Sequence, residues 1–214
     1  MQMTDIFGPL YRTMAALPPK RDPMKSLPNL SGMRLIENWI SDKEAKLLLE
    51  DQIDNQIWDT TLKRRVQHYG YEYNYTYPNT KHIGQLPLWI ASYAQKLYLD
   101  RVFTEKVPNQ IIINEYLPGQ GIASHVDCVP CFGDTIASLS LGSGCIMNIS
   151  DKSGKTLDLY LKPNSLLVLK GASRYECSHG IIARRNDVID GKRVPRQRRV
   201  SVTFRRVIDD KLAL

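Results

Sequence analysis

Short apolar runs dominate the second half of the chain. Gln110–Tyr116, Thr135–Leu141, Cys145–Ile149, Thr156–Leu161, Leu166–Leu169 and Arg199–Arg205 are rich in apolar or β-branched residues, and Gly, Pro, Asn, Asp and Ser separate them. Runs of this length between turn formers predict strands. The first half reads differently. Ser41-Asp-Lys-Glu44 has the spacing of a capping box and opens a run with Ala45, Leu48, Leu49 and Ile53 apolar, which predicts a helix. A second helix is predicted from about Pro87, because Trp89, Ile90, Tyr93, Ala94 and Leu97 fall on one stripe. Pro9, Pro18, Pro19, Pro23 and Pro28 interrupt everything before that, so residues 1–31 are expected to form a loosely ordered arm.

Two helices followed by six to eight short strands fit a β-rich α+β fold. The expected architecture is a jelly roll, or double-stranded β-helix, with helices packed on one face, since that arrangement protects most strand edges. A length of 214 residues suits one domain, placed at 32–214 with its β core at 108–207. With 43% hydrophobic and 24% charged residues, the composition excludes a wholly disordered or fibrous chain. No window approaches the ~18 apolar residues of a membrane helix, and the first ten residues lack the layout of a secretory signal. The expectation is an intracellular protein, cytoplasmic or nuclear, without a membrane partner and monomeric. In that compartment Cys128, Cys131, Cys145 and Cys177 are expected as reduced thiols. Cys128-Val-Pro-Cys131 lacks the second pair that a structural zinc site needs, so buried thiols are the expected reading there.

Charge is unevenly placed. Between Arg184 and Arg206 nine basic residues face two acidic ones, which accounts for the whole formal excess of +7. Such a strip suits a polyanion, with nucleic acid first among the partners.

The candidate chemistry lies in the β region. His125-Val-Asp127 puts two donors on one face of an extended segment, and His179 follows 52 residues after the aspartate. Two imidazoles and a carboxylate match the facial triad that holds Fe(II) and leaves positions open for cosubstrate and O2. Along Arg199-Val-Ser-Val-Thr-Phe-Arg205, alternation gathers Arg199, Ser201, Thr203 and Arg205 on one face and Val200, Val202 and Phe204 on the other. Two guanidiniums on an inward polar face suit a dicarboxylate such as 2-oxoglutarate. Asn114 and Tyr116 alternate in the same way just upstream.

These residues together resemble the AlkB group of Fe(II)- and 2-oxoglutarate-dependent dioxygenases. The likeness runs through Asn114-Glu-Tyr116-Leu-Pro-Gly119, His125-x-Asp127, His179 and Arg199-x-Ser201-x-Thr203-x-Arg205. It implies that His125, Asp127 and His179 ligate Fe(II) and carry catalysis with O2. It also implies that Arg205 pairs with the distal carboxylate of 2-oxoglutarate while Asn114, Tyr116 and Arg199 hold the rest, with Ser201 and Thr203 on the same face. The DNA-repair prototype has Asn at the position of Ser201 and acidic residues where this chain has Cys128-Val-Pro-Cys131. The run from Phe132-Gly-Asp134 to Gly142, with Ser173-Arg-Tyr175 before the metal histidine, is closer to the tRNA-modifying branch.

The implied function is oxidation of a modified nucleobase, by demethylation or hydroxylation, in RNA, tRNA or alkylated DNA. Two other readings stand beside it: a 2-oxoglutarate-dependent hydroxylase of a protein or small molecule, and a non-catalytic nucleic-acid-binding β-barrel. On the substrate side, Tyr69, Tyr71, Tyr73, Tyr75 and Tyr77 alternate, so one extended segment would show five phenols on one face after Lys63-Arg64-Arg65. In the related family the corresponding part of 32–107 is a nucleotide-recognition lid, which places Arg65, Tyr71 and Tyr73 nearest the substrate. His68 and His82 read as ordinary surface histidines.

Overall fold

The computed structural model describes residues 31–74 and 79–208. In chain order they form β1 (Met33–Ile36), α1 (Asp42–Lys46) running directly into a π-helical segment (Leu47–Ile53), β2 (Val66–Tyr69), β3 (Tyr71–Asn74), β4 (Asn79–His82) and α2 (Leu88–Leu99). Then follow β5 (Gln110–Tyr116), β6 (Ile122–His125), β7 (Phe132–Gly142), β8 (Cys145–Ser150), β9 (Thr156–Leu161), β10 (Leu166–Leu169), α3 (Gly171–Tyr175), β11 (Ser178–Ile181), β12 (Asn186–Ile189), β13 (Lys192–Pro195) and β14 (Arg199–Val207). All but the last residue of the arm expected over 1–31 lies outside the described residues.

A six-stranded sheet in the order β1-β10-β7-β14-β5-β2 faces a four-stranded sheet in the order β6-β11-β8-β9, the two layers of a jelly roll. Strand alternation gives the large sheet two different faces. Ile111, Ile113, Leu139, Leu141, Val200, Val202 and Phe204 turn outward and pack with Leu48, Ile53, Ile90, Tyr93 and Leu97 of the helical layer. Ile136, Leu167 and Leu169 turn inward with Tyr116, toward Met147, Ile149 and Ile181 of the small sheet. The helices therefore cover one face, and the second core lies between the sheets.

The helix starts are local. Ser41 Oγ accepts from the Glu44 amide at 3.2 Å while the Glu44 carboxylate accepts from the Ser41 amide at 2.8 Å, closing the expected capping box. Pro87 caps α2 just before its first turn.

The tyrosine ladder departs from expectation. Gly70, at φ +75°, sits where a Cβ would fall 1.9 Å from the Asn109 carbonyl oxygen, so the chain bends there and β2 and β3 join different sheets. Tyr69 packs edge-on against Trp89 on the helical side, whereas Tyr71 and Tyr73 pack against the core between the sheets. Tyr75 and Tyr77 lie outside the described residues.

The outer face also buries charge. Glu115, with a side chain only 3% exposed, accepts from Arg65 Nε at 2.6 Å and Nη2 at 2.7 Å, and from Arg198 Nε at 2.7 Å. The Arg65 hydrogen bond holds its carboxyl below the usual range; burial opposes this and Arg198 adds to it. A depressed folded pKa stabilises the fold above the unfolded value near ~4.3 and loses that contribution as pH falls through the folded value. Replacing Glu115→Gln should cost about 2 kcal/mol in urea unfolding at pH 7, from the lost charge-assisted bonds. The gap between the two proteins should narrow below about pH 4.

Candidate active site

The site is built by two short strands of the small sheet. β6 and β11 pair so that His125 and His179 stand directly opposite each other, with ring centroids 4.6 Å apart. Close approach is possible because Gly180 lies over Ser124, where a Cβ would come within 2.9 Å of the backbone. Asp127, two residues beyond His125, turns back toward both rings, and donor atoms of His125, Asp127 and His179 all lie within 4.8 Å of one another. His125 Nδ1 lies 2.9 Å from the Ala123 carbonyl, which only accepts, so that nitrogen donates and Nε2, 3.5 Å from Asp127 Oδ1, is the one left to face a metal.

Electrostatics prepare this set for a cation. Burial alone would raise the Asp127 carboxyl, but Arg205, His125 and His179 together hold it far below the usual range. Burial pushes His179 down to about 4, against the attraction of Asp127, so its ring is neutral near pH 7. His179 Nδ1 is buried without a partner among the described residues. Burial also acts to lower His125, but its hydrogen bonds to Asp127 and to the Ala123 carbonyl outweigh this and raise it. A charged carboxylate and two imidazoles on one face are the donors Fe(II) takes.

All nine residues read from sequence as metal- or cosubstrate-binding line one cavity between the sheets: His125, Asp127, His179, Asn114, Tyr116, Arg199, Ser201, Thr203 and Arg205. The two arginines differ in place. Arg205 is on the metal side, with Nη1 3.6 Å from Asp127 Oδ1 and its guanidinium 4.4 Å over the Phe132 ring. Arg199 is at the other end of β14, 2% exposed, where Nη2 donates to Ser140 Oγ at 3.0 Å and the guanidinium faces the Tyr116 ring at 5.4 Å. Its Nε and Nη1 are buried without partners among the described residues. Unpartnered donor nitrogens on a buried guanidinium are costly, and an incoming carboxylate that accepts from this fork offsets that cost. The cavity thus fits a dicarboxylate as well as the metal.

Substrate-side expectations divide. Arg65 is corrected: its register next to Glu115 turns it to the helical face, where it stacks over Trp58 at 4.8 Å, away from the cavity. The neighbouring Arg64 faces the cavity, donating from Nε to Asn114 Oδ1 at 3.0 Å. Tyr73 packs on Phe132 at 5.4 Å, the ring beneath Arg205, whereas Tyr71 packs on His82 at 5.0 Å. His68 is half-buried with Nδ1 unpartnered, rather than a surface residue; burial lowers its pKa.

Two features of the loop after Asp127 differ from or add to the sequence reading. Cys128 and Cys131, expected as thiols, are joined by a disulfide bond, their Cα atoms 5.3 Å apart and so within bridging reach. Cys145 and Cys177 are free and buried. Arg174 is 2% exposed and donates to the carbonyls of Asp127, Cys128, Phe132 and Gly133 at 2.9–3.3 Å. Its sequence signal was the Ser173-Arg-Tyr175 run, without any hint that its fork clamps the loop carrying a candidate ligand.

The sequence profile of the 2OG-Fe(II) oxygenase superfamily matches residues 53–205. The chain belongs to that superfamily. Its chemistry uses Fe(II), 2-oxoglutarate and O2, for which this oxygenase supplies the His–Asp–His set. It is 35% identical over 197 residues to the uncharacterized protein L905 of Acanthamoeba polyphaga mimivirus, covering 90% of this chain and 93% of that one. AlkB homologues are also among its relatives. It is 39% identical over 168 residues to the tRNA (carboxymethyluridine(34)-5-O)-methyltransferase ALKBH8 of Macaca fascicularis, covering 74% of this chain and about a quarter (25%) of that protein's length. The solved structure of OsALKBH1 superimposes with a TM-score of 0.59 at 16% identity, covering 82% of this chain and 96% of the other, which supports the shared fold.

Outer groups that orient metal ligands typically matter ~10–100-fold in affinity. Replacing Arg174→Lys keeps the charge and loses the fork. Calorimetric titration with Mn(II) should show affinity down by about 10-fold. Wild-type affinity in this variant would mean the loop holds Asp127 unaided.

Proposed function

We propose that this oxygenase oxidises a modified nucleobase in nucleic acid, by hydroxylation or by oxidative demethylation. The observation that carries this reading is the half-buried Tyr73 near the candidate metal centre: it packs against Phe132, itself fully buried beneath Arg205, which reaches Asp127. Aromatic and guanidinium faces are surfaces on which a planar base stacks. Relatives named for tRNA modification and for RNA/DNA demethylation are consistent with it.

His125, Asp127 and His179 would ligate Fe(II) in this reading. Arg199, rather than Arg205, would take the distal carboxylate of 2-oxoglutarate, since among the described residues it holds two unpartnered donor nitrogens against one on Arg205, and it lies away from the triad. Tyr116 and Ser140 fix its plane, and Asn114, Ser201 and Thr203 complete the polar lining. Arg205 would keep Asp127 ionised and offer its guanidinium toward the base. Bound together, the metal, keto acid and O2 supply oxidative decarboxylation to succinate and CO2 coupled to oxygen insertion into a C–H bond. The chain's own work is to hold the reactants in line and exclude water. A base in a duplex must leave the stack to reach such a cavity, whereas a single-stranded loop avoids that cost.

His125→Ala and Asp127→Ala should each abolish succinate formation. Arg199→Lys should weaken 2-oxoglutarate binding more than Arg205→Lys, because a lysine cannot replace a bidentate fork. Mass spectrometry of nucleosides after incubation with total tRNA and with methylated DNA should show a base that has gained oxygen or lost a methyl group. Robust succinate formation with every nucleoside unchanged would contradict the nucleobase reading.

A further inference from the structure

The fold divides the basic strip into committed and uncommitted charges. Arg184 and Arg196 both donate to the buried carboxylate of Asp187, at 2.7–2.8 Å, and the Ile146 amide adds a fourth donor. Burial opposes the charged form of Asp187, but the Arg196 hydrogen bond and the other donors outweigh it and hold the carboxyl below its ordinary value. Arg198 is shared between Glu115 and Asp54, and Arg199 and Arg205 face the cavity. Three cations of the strip remain exposed with no ion pair among the described residues: Arg185, Lys192 and Arg193. They sit on or beside the β12–β13 hairpin, whose Val188 pairs with Arg193 and Ile189 with Lys192.

The hairpin is attached at the cavity. It leaves β11 after Ile181 and returns into β14 at Arg199, both cavity-lining residues. Arg185 lies against the Leu117–Gln120 turn, its Cγ 3.8 Å from where a Cβ on Gly119 would stand, and the Gly119 amide donates to the Arg184 carbonyl at 3.2 Å. On the other side of that turn, Gln120 Nε2 donates to the carbonyl of exposed Lys63 at 2.8 Å. The chain thus carries these cations in an arc, from Lys63 across the Leu117–Gln120 turn to Arg185 and out along the hairpin to Lys192 and Arg193, and Leu117 and Ile182 beside it are exposed. Asp187 and its two arginines anchor the hairpin that carries these charges.

We propose that Lys63, Arg185, Lys192 and Arg193 bind the phosphodiester backbone of the strand whose base enters the cavity. This rests on the nucleic-acid reading of the active site. Contacts of this kind give position and affinity but no base selectivity. Single-stranded nucleic acid loses about 0.7 in the slope of log affinity against log salt for each phosphate contact removed.

The test uses fluorescence anisotropy with a labelled single-stranded RNA oligonucleotide of mixed sequence, titrated across potassium chloride concentrations. The Arg185→Ser/Lys192→Ser/Arg193→Ser variant should lower the magnitude of the salt slope by about 2. Its melting temperature and its 2-oxoglutarate turnover without nucleic acid should match the wild type, since none of the three side chains touches the cavity. An unchanged slope in a variant that binds RNA overturns the arc and leaves the active-site reading standing. Failure of the wild-type protein to bind either this RNA or a DNA oligonucleotide of the same sequence overturns the arc and the nucleic-acid reading together, whether or not the protein is retained on phosphatidylserine vesicles.

Discussion

Burying guanidiniums, a carboxylate and imidazoles between two apolar sheets is unfavourable unless every charge meets an opposite one, and this constraint shapes the centre of the molecule. Asp127 is met by Arg205 and the two histidines. Among the described residues Arg199 is met only by a serine hydroxyl and a tyrosine ring, with Nε and Nη1 left unpartnered. The interior is therefore short of negative charge at one end and arranged for a cation at the other. A dicarboxylate that also reaches a divalent metal satisfies both ends together.

The same economy of charge separates the two faces of the large sheet. Outward, Glu115 gathers Arg65 and Arg198, and apolar side chains meet the helices. Inward, Asn114 and Tyr116 on the same strand turn to the cavity. One residue of register thus decides whether an arginine builds the scaffold or the site, as Arg64 and Arg65 show.

What was legible in the chain follows from this. Period-two alternation along Arg199–Arg205 identified a polar inner face without knowledge of its neighbours, because both faces carry a clear chemical signature. The His-x-Asp and distant His were legible by spacing, and the capping box at Ser41 by its local code. The side taken by Arg65 was not, since β2 acquires its parity only by pairing with β5. Nor was the break in the tyrosine ladder, which depends on the approach of the Asn109 carbonyl to Gly70. The basic strip was legible as charge, but its division depends on Asp187, Glu115 and Asp54, which lie up to 144 residues away in sequence from the arginines they neutralise.

The central claim is that three side chains from β6, the loop after it and β11 hold one ferrous ion next to an arginine-bound keto acid. Anaerobic titration of the protein with Fe(II) and then 2-oxoglutarate tests it most directly. The expected result is a visible charge-transfer band that saturates at one equivalent of metal and requires both additions. Saturating Fe(II) and 2-oxoglutarate without any such band would contradict the assignment of the cavity.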